Sequence, residues 1–345
     1  MIFATGPTGP AAACGMPWEQ DSSAAEASAD ARRRAIADNI RRTRREVYGP
    51  FPLPPSPPPP WAGTTTVNDA FGQWWRCEKL PKVPTGFGWL DRPTEGGLPI
   101  GVTALVAPPG VGKSALALQW VLGALVTDRT MRATWALGEM TLGGLGRRMV
   151  CLAGSIIEGC EPVTMTEAGD RTERSGRAAT IASKVIDGRL HIVEPPLSID
   201  AIGNYAKRTG SRIVVVDYLQ LLHGNDDGGD RTADLDRIVG LIRDMAIRLK
   251  CAVVPISTMA KATAVGANAA QAGRGTVEIG HAAELMYVGE RDERGGRPIR
   301  GSDGKVRIVW RCAKARNFEP RDLELRFDGA TQTYTADCVP IEGAG

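Results

Sequence analysis

Short apolar runs recur along the chain from residue 84 onward. They are Val102–Val106, Thr134–Leu137, Leu190–Val193, Arg212–Val216, Ala252–Ile256 and Leu285–Val288. Runs this short suit strands buried on both faces, as in a parallel sheet covered by helices. Between the fourth and fifth runs, Leu235, Ile238, Ile242, Met245 and Leu249 fall on one stripe at helical spacing. Asp236, Arg237, Arg243 and Arg248 lie outside that stripe, so the segment predicts a covering helix. Ala115–Leu125 also reads as a helix. Near the end, Lys305–Arg311, Leu323–Phe327 and Gln332–Thr335 alternate in hydrophobicity, and Asp328-Gly329 marks a turn between the last two. The pattern predicts an α/β fold: a doubly wound, mostly parallel sheet with an antiparallel C-terminal extension. There is no internal repeat.

The first sixty or so residues break this pattern. Residues 1–30 are small and polar and predict disorder. Ala31–Tyr48 is dense in arginine, with Ile36, Ile40, Thr43 and Val47 on one helical face, so a short basic amphipathic helix and a solvated segment are both open readings. Pro50–Pro60 holds eight prolines and predicts an extended, semi-rigid spacer. Asn68–Cys77, with Phe71, Trp74 and Trp75, suggests a short helix packed on the main domain. The organisation is thus a low-complexity arm over 1–66, a linker over 67–83 and one sizeable domain over 84–345.

Composition narrows the chemistry little. Net charge is +3 over 345 residues, which names no partner. The seven cysteines (14, 77, 151, 160, 251, 312 and 338) are scattered without a C-x-x-C pair. Cys151, Cys251 and Cys312 sit in apolar runs as small buried side chains. A disulfide framework or zinc site is not expected, and a cytoplasmic location fits. No apolar run reaches bilayer length, and the N-terminus lacks the pattern of a signal peptide.

The chemistry concentrates in Ala107-Pro108-Pro109-Gly110-Val111-Gly112-Lys113-Ser114, between a predicted strand and a predicted helix. This is the context of a phosphate-binding loop, although Ala107 replaces the usual first glycine. Gly110 and Gly112 let backbone N–H groups close around phosphate oxygens. The helix starting near Ala115 adds partial positive charge there. Lys113 can reach the β- and γ-phosphates, and the Ser114 hydroxyl can ligate Mg²⁺. Pro109 to Ala115 are therefore the candidate nucleotide-binding residues. Asp217 ends the fourth apolar run, where an acid suits a Mg²⁺-organising role or a helix cap. Glu139 follows the second run, where a carboxylate could activate water or simply begin a helix.

Thr85-Gly86-Phe87, Leu90-Asp91, Gly96-Gly97-Leu98 and Gly101 precede the loop in an order that resembles RecA-superfamily ATPase cores. Gly138-Glu139-Met140, Asp217-Tyr218-Leu219-Gln220-Leu221 and Lys314-Ala315-Arg316-Asn317 resemble more narrowly the C-terminal motor domain of DnaB-type replicative helicases. The resemblance spans roughly Pro84 to Thr335. It implies an ATP- and Mg²⁺-dependent hydrolase with a RecA-like fold. Within it Glu139 is the catalytic carboxylate, Ser114 and Asp217 support the metal, and Arg316 is an arginine finger for a neighbouring subunit, with Lys314 beside it. A finger acting between copies implies a homo-oligomeric ring, usually of six subunits. Ile36, Ile40 and Val47 become a candidate face docking on the next copy.

The same resemblance implies single-stranded DNA as the track, with a replication loader or primase as partner and no membrane. Of the two loops expected to line a channel, His223–Asp230 carries three aspartates, a poor phosphate footprint. Lys261–Gly275 offers Lys261, Arg274 and the Gly275 backbone as DNA contacts, and a plain flexible loop is equally open as a reading. Thr258 stands after Ser257 where the family usually has a glutamine, and Ala283-Glu284 where it usually has Ala-Asp. The family's globular N-terminal domain is replaced by the low-complexity arm, which suggests a phage or plasmid motor. Two other classes stay open: a RecA-like recombinase or regulatory ATPase that does not unwind, and a nucleotide-gated adaptor.

Overall fold

The structure is a computed structural model that describes residues 82–217, 231–258, 279–294 and 297–336, together with residues 67 and 219. The predicted arm, its basic helix and proline spacer, the aromatic segment Asn68–Cys77 and both candidate DNA loops lie outside the described residues, as do Lys261, Arg274 and Gly275.

The described chain opens with a small antiparallel pair, β1 (Lys82–Val83) and β2 (Leu98–Pro99), around a one-turn helix, α1 (Gly88–Asp91). Strand β1 falls within the segment read as linker. The approach motif holds this corner together. The Asp91 carboxylate accepts from the Thr85 N–H at 3.0 Å, the Thr85 hydroxyl at 2.7 Å and the Gly86 N–H at 2.8 Å. The corner lies against the central helix at Gly123, where a Cβ would stand 2.2 Å from the Thr85 carbonyl oxygen. Only glycine permits that approach.

The main sheet draws on β3 (Gly101–Ala107), β4 (Ala133–Leu137), β5 (Leu190–Val193), β6 (Ile213–Asp217), β7 (Ala252–Thr258) and β8 (Leu285–Arg291). It is completed by β11 (Val306–Ala315), β12 (Leu323–Asp328) and β13 (Thr333–Ala336), with a small hairpin of β9 (Glu293–Arg294) and β10 (Arg297–Pro298) beside it. Strand order is β13-β12-β11-β8-β3-β7-β6-β4-β5. From β8 to β5 all neighbours are parallel, and from β8 to β13 all are antiparallel. This is the predicted doubly wound sheet with its antiparallel extension.

Alternation along the strands builds two apolar layers. Leu105, Trp135, Val215 and Ile256 face helix α2 (Lys113–Thr127), which is buried from Ala115 to Leu125. Ala104, Val106, Val214, Val216 and Val253 face the other way, against α6 (Ile199–Thr209) and α7 (Arg231–Leu249). Ile238, Ile242 and Met245 of the predicted stripe are buried there, with Leu249 packed against them. Helices α3 (Leu142–Ile156), α4 (Met165–Gly169) and α5 (Glu173–Ile186) fill the passage from β4 to β5. Side-chain caps start them: Thr141 accepts from the Gly144 N–H, Thr164 and Glu167 form a capping box, and Thr172 accepts from the Ser175 N–H.

Cys151 and Cys251 are buried and Cys312 is half-buried. No helix among the described residues is long and apolar enough to cross a membrane.

Candidate nucleotide site

The carboxyl ends of β3, β4, β6 and β7 meet in one place, where ligands bind in open α/β sheets. Strand β3 runs out at Ala107, and six residues later α2 begins at Lys113. The turn between them needs left-handed backbone, with φ of 80° at Gly110 and 95° at Gly112. Gly112 is also crowded: a Cβ there would lie 2.6 Å from the Tyr334 hydroxyl and 3.3 Å from the tip of Phe327.

Lys113 is buried at the mouth of the helix, with 8 % of its surface exposed. Its Nζ donates to the carbonyl oxygens of Ala107 (2.8 Å) and Pro108 (3.1 Å), which leaves one of its three donors for a ligand. Burial lowers its pKa, while the charges of Glu139 and Asp217 work in the opposite direction. Those two carboxylates are brought together by the sheet. Leu137 pairs with Asp217 in the β4–β6 register, and the Asp217 carbonyl accepts from the N–H groups of Gly138 (2.8 Å) and Glu139 (3.3 Å). Glu139 is exposed, so its carboxylate is open to solvent beside the loop.

Asp217 is fully buried. The Ser114 hydroxyl donates to its Oδ1 at 3.1 Å, while Oδ2 is buried with no hydrogen-bond partner among the described residues. Burial pushes the carboxyl up to about 6; the Ser114 bond opposes this, Glu139 adds to it, and Arg148 and Lys113 oppose it. A buried carboxylate oxygen without a partner, next to a serine hydroxyl, is the donor set for a hard divalent cation shared with phosphates. The residues therefore fit Mg²⁺, which Ser114 and Asp217 would hold. With a triphosphate there, the ion would neutralise charge on the β- and γ-phosphoryl oxygens. No cluster of three or more His, Cys, Asp or Glu able to hold a metal by itself occurs among the described residues.

Strand β7 lies next to β3, with Ser257 opposite Val106 and Thr258 opposite Ala107. Thr258 is thereby placed at the edge of the loop. Three further residues join the site without a signal in the sequence motifs. Arg148 on α3 acts on Asp217 through its charge. Arg291, at the end of β8, donates to the Gly110 carbonyl at 3.4 Å and is paired with Glu293. Tyr334 of β13 donates through its hydroxyl to the Val111 carbonyl. None could be read from spacing, because each arrives from a different element.

Lys314 and Arg316 are not brought to this loop. The Arg316 N–H donates to the Glu284 carbonyl at 3.0 Å, and the Glu284 N–H to the Val102 carbonyl at 2.9 Å. Arg316 thus sits at the level of Val102, near the start of β3, whereas the loop follows Ala107 at its end. Five residues of strand at about 3.3 Å each separate them by roughly 17 Å. Arg316 bonds the His281 carbonyl at 2.9 Å and lies 3.4 Å from the Glu284 carboxylate. Lys314 Nζ donates to the carbonyls of Gly280 (2.6 Å) and His281 (3.1 Å).

Comparison with known proteins agrees with this architecture. A solved ATPase domain superposes with a TM-score of 0.65 at 20 % identity, covering 79 % of this chain and 99 % of that one. A DnaB-like replicative helicase, solved to describe its interactions with primase, gives a TM-score of 0.63 at 20 % identity, over 79 % of this chain and 67 % of its own. The replicative DNA helicase DnaC of Bacillus subtilis is 28 % identical over 187 residues, which is 52 % of this chain and 40 % of that protein. The replicative DNA helicase DnaB of Leifsonia xyli is 23 % identical over 321 residues, or 89 % and 67 %. The matched region of the Bacillus subtilis protein is thus well under half its length. The family model for the DnaB-like helicase C terminal domain matches residues 82–336, and the chain belongs to that family.

Proposed function

We propose that this chain is a Mg²⁺-dependent ATPase that works at interfaces between its own copies and drives movement along single-stranded DNA. One observation carries the reading. Lys113, Ser114, Glu139 and Asp217 converge on the loop that follows β3, while the backbone of Arg316, just past β11, is level with the opposite end of β3, about 17 Å along it. An arginine so placed cannot serve its own loop. It suits the loop of a second copy, where such a residue is worth about 10³–10⁵ in rate. Lys113 and the α2 N-terminus would bind the phosphates. The exposed Glu139 carboxylate would orient the attacking water and take its proton. The similarity to replicative helicases supports a ring, DNA as the track, and loader or primase partners as part of the same proposal.

A subunit-mixing experiment tests it. Lys113→Ala abolishes hydrolysis, and Arg316→Ala lowers turnover while nucleotide binding persists. Mixing the two variants raises activity above that of either alone, because each supplies what the other lacks. No recovery on mixing, with both variants still assembling, would count against a shared site.

A second reading, a regulatory ATPase that does not unwind, draws on Thr258. A threonine beside Ala107 has a shorter reach toward a γ-phosphate than a glutamine would have there. Hydrolysis indifferent to DNA would favour it.

A further inference from the structure

Strand β13 is the last described element, and it is fastened to the nucleotide site at three points. The Tyr334 hydroxyl donates to the carbonyl oxygen of Val111, in the middle of the phosphate loop. The Tyr334 N–H donates to Gln119 Oε1 at 2.7 Å, and Gln119 Nε2 donates back to the Tyr334 carbonyl at 2.8 Å. Gln119 is buried on α2, the helix that Lys113 opens. The tyrosine ring lies against Phe327, centroids 4.7 Å apart and planes tilted by 35°, and meets Trp310 edge-on at 6.4 Å. Burial raises the Tyr334 pKa, so its hydroxyl keeps the proton it donates.

We infer that Tyr334 is a positioning residue for the phosphate loop. Its hydroxyl holds the Val111 carbonyl away from the cradle, and its ring closes the space behind Gly112, so that the loop N–H groups point inward before nucleotide arrives. The physical reason is that a loop containing two left-handed glycines has other conformations open to it. Without a tether, part of the population would leave the binding-competent form, and apparent affinity would fall by that fraction. A polar side chain, fully buried and spent on a backbone carbonyl of the loop, is costly to keep unless the bond selects a conformation. This inference rests on the reading of residues 107–114 as the nucleotide site.

The test is Tyr334→Phe in the full chain, which retains the ring and removes only the hydroxyl. The KM for ATP is expected to rise about 5- to 10-fold, with kcat within about twofold of wild type. Hydrogen exchange without nucleotide should quicken over residues 110–114 and stay unchanged over β4 and β6. Gln119→Met, which loosens the strand without touching the ring, should shift KM in the same direction and serves if the phenylalanine variant folds poorly. An unchanged KM overturns the inference, as does faster exchange spread evenly over the sheet, which would make the tyrosine merely structural. Lys113→Ala run in parallel separates the two levels. If it hydrolyses ATP like wild type, the site assignment itself fails. If it is dead while Tyr334→Phe keeps its KM, only the tyrosine's role fails.

Discussion

Asp217→Asn should make the protein more stable and inactive at once. In the native fold the Asp217 carboxyl is pushed from 3.8 to about 6, chiefly by burial. The sign follows from proton binding. Between those two values the native state holds a proton that the unfolded chain has lost, so stability falls as pH rises through this window and stays low above it. A shift of roughly two units corresponds to about 3 kcal/mol at neutral pH. Asparagine keeps the volume and an acceptor for the Ser114 hydroxyl while removing the charge. In metal-free protein at pH 7.5, the variant should therefore gain up to about 3 kcal/mol, or about 5–10 °C in Tm. At pH 4.5 native Asp217 is already largely protonated, and the gain should shrink to about 1 kcal/mol. Thermal unfolding of both proteins at the two pH values reads this directly. Adding Mg²⁺ and nucleotide should stabilise the wild type more than the variant. A variant no more stable than wild type at pH 7.5, or a gain independent of pH, would refute the argument that a buried, poorly solvated charge with one unpartnered oxygen sits at this position.

Other perturbations separate the roles of neighbouring residues. Glu139→Gln should lower kcat by about 10²–10⁴ with nucleotide affinity largely kept, since its exposed carboxylate is assigned to the water and not to the phosphates; a binding assay beside the turnover assay checks this. Gly112→Ala places a Cβ 2.6 Å from the Tyr334 hydroxyl at a φ of 95°, so it should cost about 2–4 kcal/mol in unfolding experiments and weaken ATP binding.

Much of the fold was legible because the central strands are unusually plain. Ile213–Asp217 and Ala252–Thr258 are buried along nearly their whole length, and the apolar runs mark them to within two residues or so. The helices between β4 and β5 were harder. Helix α5 buries Ser175, Ala178, Ala182 and Ile186, a face of small side chains that gives little hydrophobic contrast, and its start shows only in the Thr172 cap. In the site, Lys113 and Ser114 were readable from the glycine-rich run between a strand and a helix, and Glu139 and Asp217 because each stands at or within two residues of a strand end. Arg148, Arg291 and Tyr334 were not, because pairing across the sheet and packing of α3 deliver them. The glycines of the approach motif serve close packing in this structure: a Cβ at Gly86 would lie 2.4 Å from the Thr127 hydroxyl of α2, one at Gly97 2.1 Å from the Val83 carbonyl oxygen of β1, and one at Gly101 2.6 Å from the Glu284 side chain.

The central claim is that nucleotide turnover and DNA belong to one cycle. Steady-state ATP hydrolysis by the full chain, with and without single-stranded DNA at low and high salt, tests it most directly. The account predicts stimulation by DNA that fades as salt rises, because phosphate contacts release counterions. Hydrolysis of equal rate with and without DNA at both salt concentrations would contradict it.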